Sequence, residues 1–440
     1  MKNILTSLWV IGWAVMLAAP SQAAIVPKRV ELDNGMVLLT SEQRALPMVS
    51  IELLIDAGSR YDAPQQEGVA NLTARLLTYG TSRRTAVQIS DALDFIGAGL
   101  STRAGADLAS VSLTVLKKDL ATGLDLLAEV LTAPTFPQEE IDRQKQSILA
   151  AIRARDEDPG DIAQRRFAAV LYPQSPYGRP AEGTEASVKS LQQRDVREFY
   201  ERYYRPNRAI MAVVGDVSQQ EIIQALNQSL RLWHKGEPGG QLLIPSVIGA
   251  SQVIRIDKDL TQANIITGHE GVARSNPDYY AIQVMNYILG GGGFSSRAMD
   301  SVRNERGLAY SIYSSFNSEK SHGTFEFVMQ TKNETALEAV RIVKNEIHRM
   351  REQKVSEREL NDAKDYLTGS FPLRLDTNRK VASFIAQVEF FQLGMDYPEQ
   401  YADLIRKVTA EDVARVAKRY LQPDRLITVI VGNQRKIGDD

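Results

Sequence analysis

The stretch "DVREFYERYYRPNRAIMAVVGDV", Asp195 to Val217, decides the fold because the chain carries it twice. Asp412 to Gln434 reads "DVARVAKRYLQPDRLITVIVGNQ", an offset of 217 residues, and Asp, Val, Arg, Tyr, Pro, Arg, Ile, Val and Gly recur in place. A second pair lies upstream, where "FPQEEIDRQKQSIL" from Phe136 parallels "VSERELNDAKDYLT" from Val355 at an offset of 219. Two matching patches in nearly one register identify a tandem duplication.

Both copies share one grammar. A helix ends near Arg-Tyr-x-x-Pro, because proline cannot continue it. The β-branched runs "AIMAVVG" and "LITVIVG" follow, with the length and composition of buried strands. Upstream in the first copy, "VELDNGMVLLTSE" carries Asn34-Gly35, a strong hairpin signal. "MVSIELLIDAG" and "ASVSLTVLK" read as strands, and "GVANLTARLLTYGT" (Gly68 to Thr81) reads between them as a short amphipathic helix. "DLATGLDLLAEVLT" and "EEIDRQKQSILAAIRAR" have helical periodicity with acidic first turns. The expected fold is α+β, with two homologous tandem domains, each a mostly antiparallel sheet with helices packed on one face. The Gly- and Pro-rich stretch 234–251 reads as the linker between domains at 24–233 and 252–440.

Composition narrows the function. A chain of 440 residues exceeds one core, and 52 basic against 54 acidic residues give no basic excess with which to bind nucleic acid. The first 23 residues carry Lys2, an apolar run from Ile4 to Ala19, Pro20, and small residues at Ser21 and Ala23. This is the pattern of a cleaved signal peptide, with the apolar run too short to span a bilayer, so export to the periplasm is expected. The chain has no cysteine, which excludes disulfides, thiol catalysis and thiolate zinc sites.

Three segments together carry a family resemblance. "GSRYDAPQQEGVANLTARLLTYGTSRRT", "LGGGGFSSRAMDSVRNERGLAYSIYSSF" and the two repeated endings resemble the pitrilysin/insulinase-type zinc peptidases, above all the short bacterial members built of two homologous halves. Those peptidases carry an inverted H-x-x-E-H motif on a helix, where two histidines four apart bind Zn²⁺ and the glutamate works on the zinc-bound water. Here the window falls on Asn71 to Arg75. Asn71 and Arg75 stand where the histidines would be, and Ala74 stands for the catalytic glutamate. The third-ligand glutamate aligns with Ala151, or with Ala150 given one residue of slack. No zinc or other cofactor is therefore expected in this chain. The four histidines, His234, His269, His322 and His348, have no helical-spacing partners, and His269 reads as a strand-end residue.

The second copy keeps a different feature. The glycine run Gly290 to Gly293 lacks the Gly-Lys-Ser/Thr of a phosphate loop, and reads either as a flexible turn before a helix or as an element of peptide access. Arg303 and Tyr310 follow it. The resemblance implies that such an Arg/Tyr pair holds substrate backbone and stabilises the developing oxyanion; from spacing alone the two could equally be a surface arginine and a strand aromatic. Short bacterial members that resemble this chain often work in pairs, one bringing H-x-x-E-H and the other Arg/Tyr. The resemblance implies the second role: a non-catalytic, substrate-binding subunit of a heterodimeric periplasmic zinc metallopeptidase, with the zinc in the partner. A non-enzymatic scaffold or peptide-binding protein of the same fold is the alternative.

Overall fold

The computed structural model describes residues 27–240, 245–247 and 249–438, so the signal-peptide segment and part of the interdomain stretch lie outside the described residues. The first half runs β1 (Lys28–Glu31), β2 (Val37–Glu42), β3 (Met48–Ile55), α1 (Val69–Leu76), α2 (Ala86–Phe95), β4 (Gly99–Ala104) and β5 (Ala109–Leu116). It continues through α3 (Leu120–Thr132), α4 (Gln138–Glu157), α5 (Pro159–Leu171), α6 (Glu185–Ser190), α7 (Gln193–Tyr203), β6 (Ala209–Gly215) and α8 (Gln219–Ser229). The second half has β7 (Gln252–Asp257), β8 (Gln262–Glu270), α9 (Tyr279–Asn286), α10 (Arg297–Met299), β9 (Ala309–Ser318), β10 (Gly323–Lys332), α11 (Ala336–Glu352) and α12 (Glu357–Gly369). It ends with α13 (Asn378–Phe390), α14 (Tyr397–Arg406), α15 (Ala410–Tyr420), β11 (Ile427–Gly432) and α16 (Gln434–Ile437).

Each half forms one mixed sheet, and the duplication is visible in the strand order. The first sheet runs β1-β2-β6-β3-β5-β4 and the second β7-β11-β8-β10-β9, so from β2 and β7 onward the two orders correspond. All neighbours are antiparallel except β2–β6 and β7–β11. The repeated endings supply β6 and β11, which sit inside their sheets and are buried almost throughout. Their unbroken apolar runs follow, since a strand covered on both faces has no polar side to present. At Asn34-Gly35 the β1–β2 hairpin turns with Gly35 at φ +80°, a left-handed conformation that glycine adopts without strain.

One face of each sheet is covered by helices of its own half, as expected for an α+β layer. The other face is covered by a helix from the opposite half. On the first sheet α13 lays Val381, Ile385 and Phe390 against Leu39, Leu54 and Val214. On the second sheet α5 lays Phe167 and Leu171 against Ile266, Ile427 and Val429. The exchange is reciprocal between corresponding helices, since α5 and α13 begin 219 residues apart, the offset of the sequence repeat. Polar bonds reinforce it: Tyr172 donates to the Gly323 carbonyl, Gln164 to Glu326, and Arg29 of β1 pairs with Glu389 of α13 at 2.9 Å.

Candidate functional site

The helix that would carry zinc ligands is well formed. Gly68 enters it at φ +95°, and the Asp62 carboxylate accepts from the N–H groups of Gly68 (2.7 Å) and Ala70 (3.1 Å), closing two of the free donors at its start. Burial pushes the Asp62 carboxyl up to about 7, against those two hydrogen bonds, which favour its ionised form. Leu72, Ala74 and Leu76 of α1 are fully buried, and the helix packs against α4, α7 and β4.

Asn71 and Arg75 share the half-buried face, one turn apart, and the Arg75 Nε–H donates to Asn71 Oδ1 at 3.0 Å. This i,i+4 hydrogen bond occupies the two positions where a pair of imidazoles would converge on a metal. Arg75 makes no ion pair among the described residues; being only half-buried, it keeps part of its hydration and needs none. Ala74 is 0% exposed, so the position that the resemblance assigns to the catalytic base holds a packed methyl group, and the neighbouring Thr73 Oγ1 is buried without a hydrogen-bond partner among the described residues. Ala150 and Ala151 lie exposed on α4, the helix that packs on α1. Among the described residues no three His, Asp or Glu side chains are grouped to hold a metal ion. His269 is a buried residue of β8, as its strand-end reading implied, while His234 is exposed and His322 and His348 are half-buried.

Arg303 and Tyr310 are brought together. Arg303 follows α10 in the helical segment Asp300–Asn304, whose inner side is pinned by fully buried Val302 and by Ser301, which donates to Glu346 at 2.7 Å. Just upstream, buried Arg297 pairs with Glu359 of α12 at 2.6 Å. Burial opposes ionisation of Glu359, yet Arg297 and Ser356 together hold its carboxyl down to about 2. With its neighbours fixed, the Arg303 guanidinium lies over two aromatic rings, 4.7 Å from the Phe294 centroid and 5.1 Å from that of Tyr310. Cation–π contact with two rings orients a planar guanidinium and consumes none of its N–H donors. Arg303 has no carboxylate partner among the described residues.

Tyr310 owes its direction to a backbone irregularity. In the β9–β10 ladder Gln330 pairs with Ser311 and Thr331 with Ala309, so Tyr310 is the extra residue of a β-bulge. Bulges re-aim a side chain, and this one sits on the edge strand of its sheet. The ring is 82% exposed, and its hydroxyl has no hydrogen-bond partner among the described residues. No hydrogen bond or ring contact joins the Arg303–Tyr310 pair to α1 among the described residues.

The glycine run before this segment is not a free turn. A Cβ on Gly290 would stand 2.5 Å from Ser314 Oγ and 2.8 Å from the Phe327 ring, so glycine there lets the helical segment Tyr287–Gly291 lie directly on β9 and β10. Phe294, the second ring on Arg303, escaped notice in the sequence. Its signal is an aromatic residue at the end of a glycine run, 72% exposed in the fold.

The duplicated α+β chain with exchanged cover helices, whose described residues group no three His, Asp or Glu side chains for a metal, defines a two-domain fold of tandem homologous halves. Two successive family models match, Insulinase (Peptidase family M16) over residues 37–185 and Peptidase M16 inactive domain over residues 190–367. The chain belongs to the insulinase family, peptidase family M16, and is a catalytically incomplete member of it. It is 28% identical to a solved structure described as the peptidase M16 inactive domain from Pseudomonas fluorescens, with a TM-score of 0.88 over 93% of this chain and 98% of that one. It is 27% identical to an uncharacterized zinc protease of Streptomyces coelicolor, covering 92% of this chain and 89% of that protein. It is 26% identical to the non-peptidase homolog YmxG of Helicobacter pylori, covering 92% and 94% respectively.

Proposed function

We propose that this chain is the substrate-binding subunit of a heterodimeric periplasmic metallopeptidase. An H-x-x-E-H paralogue supplies the zinc and the general base, and this chain supplies Arg303 and Tyr310 to a composite site. The observation that carries the reading is Tyr310 as a bulge residue, turned toward an arginine whose guanidinium is already oriented by Phe294 and carries no neutralising acid. An unpaired guanidinium beside an unbonded phenol offers donors to a peptide carbonyl and to a developing oxyanion. Among the described residues neither group has a hydrogen-bond or ion-pair partner, and α1 carries no His, Asp or Glu with which to activate water.

Co-expression with an H-x-x-E-H paralogue tests this reading. The pair is expected to co-purify and cleave peptides, with Arg303→Ala and Tyr310→Phe each lowering kcat about 10²-fold, the scale for losing one oxyanion donor. Unchanged turnover in both variants would overturn the composite site. Association without activity in any combination would favour the scaffold reading, in line with the non-peptidase name of the Helicobacter relative.

A further inference from the structure

A second cationic site lies away from Arg303, in the second half, and it needs no partner chain. Arg274 follows β8 and is 8% exposed. A charge removed from water to that degree requires a counter-charge or a ligand. The first half shows the ordinary solution. Arg60, also 8% exposed, stands four residues after Asp56, as Arg274 stands four after Glu270. Arg60 is ion-paired to Asp56 and, at 3.0 Å, to Asp107.

Arg274 has no such pair among the described residues. Its guanidinium lies 3.7 Å from the Tyr279 ring centroid and 5.6 Å from that of Tyr397, and its side-chain hydrogen bond goes to the Tyr397 hydroxyl at 2.9 Å. It borders a cavity of about 390 Å³ whose lining contains no Asp or Glu. Arg374, also in the lining, is exposed and likewise lacks an ion pair among the described residues. Lys380 is neutralised by Asp376 at 2.9 Å and adds no free charge. Ser318 lines the cavity too, and its Oγ is buried without a hydrogen-bond partner. Phe384, Phe391 and Leu393 make the remaining wall apolar.

We propose that this cavity binds an organic carboxylate with an apolar or aromatic arm, the chemistry of the free C-terminus of a short peptide. The carboxylate takes N–H donors from Arg274 and Arg374 and the Ser318 hydroxyl, and the arm lies between Tyr279 and the two phenylalanines. Planar guanidinium forks match carboxylate geometry. A cavity of this size holds one or two residues of a peptide. An inorganic anion would leave the aromatic wall without contact.

Calorimetric titration of the purified full chain with N-acetyl-Ala-Phe free acid, its C-terminal amide and sodium phosphate decides the question. The free acid is expected to bind, with the amide weaker by about tenfold or more, the worth of one charge-assisted hydrogen bond. Arg374→Gln, at an exposed position, is expected to weaken the acid by a similar factor with an unchanged thermal midpoint, and Arg274→Gln to abolish binding. Equal binding of acid and amide, no binding of either, or binding of phosphate alone would overturn the assignment. None of these outcomes depends on Arg303, Tyr310 or a zinc-bearing partner, so this proposal and the composite site stand or fall separately.

Discussion

His269 should give the fold a defined acid limit. The ring is 2% exposed in β8 and uses both nitrogens: Nδ1 lies 2.6 Å from the Glu270 carbonyl, and Nε2 accepts the Gln422 N–H at 3.0 Å. Only the neutral ring protonated at Nδ1 satisfies both contacts, since protonation at Nε2 sets a donor against a donor. Burial is the main reason its pKa falls to about 4, with nearby Arg425 acting in the same direction and the Glu270 hydrogen bond opposing. In the unfolded chain the group titrates near 6.5. Between those values the unfolded state binds a proton that the folded state refuses, so stability is complete above about pH 6.5 and drains away as pH falls toward 4. At 1.36 kcal/mol per unit the loss reaches about 3 kcal/mol. Urea unfolding of wild type and His269→Gln from pH 7.5 to 4.5 isolates the term, because every other group is common to both proteins. The wild type should lose about 1.4 kcal/mol per unit relative to the variant below pH 6.5. A wild-type-minus-variant difference that stays flat with pH would refute the neutral buried ring, and with it the pinning of the Gln422 turn that feeds β11.

Removing Arg60 leaves the buried Asp107 without an ion pair, while Asp56 keeps Arg208 at 2.9 Å, so Arg60→Met should cost about 3 kcal/mol by urea unfolding; a cost below about 1 kcal/mol would mean that the network is not stabilised by that charge. The α1 face should still accept a metal. With Asn71→His, Arg75→His and Ala151→Glu, three donors are placed on two packed helices, and elemental analysis should find about one zinc per chain. Peptidase activity should stay absent, because Ala74 remains a buried methyl. Failure to take up zinc in a folded variant would show that the helix pair has drifted from ligand geometry.

What could be read from the chain follows from how local each signal is. The buried strands β6 and β11 announce themselves because a strand covered on both faces is a continuous apolar run, and the Arg-Tyr-x-x-Pro turn fixes its start. The Asn71–Arg75 hydrogen bond was equally available, since i,i+4 neighbours always meet on a helix. The exchange of α5 and α13 was not, because amphipathic periodicity says that a helix buries one face and is silent about which sheet receives it. The bulge at Tyr310 was hidden for a related reason. It depends on the register of β9 against β10, a pairing that no glycine marks in "LAYSIYSSF". The run at Gly290 reads as a turn, and Gly292 and Gly293 do make one, but what requires glycine at Gly290 is its close approach to Ser314 and Phe327, which are distant in sequence.

The reciprocal cover helices also constrain how a composite site could arise. Pulling the halves apart would expose Phe167 and Leu171 on one side and Val381, Ile385 and Phe390 on the other, all less than a tenth exposed. Fully exposing a side chain of that kind costs about 1.5–3 kcal/mol, so five of them oppose separation by roughly 10 kcal/mol. The first half of this chain therefore cannot readily give way to a competent half from elsewhere. On the proposed reading the zinc half arrives as part of a second, complete two-domain polypeptide, docked beside this one. The Arg303–Phe294–Tyr310 cluster meets that requirement in its own construction, since Tyr310 stands on an edge strand, is largely exposed, and among the described residues neither its side chain nor that of Arg303 has a hydrogen-bond or ion-pair partner.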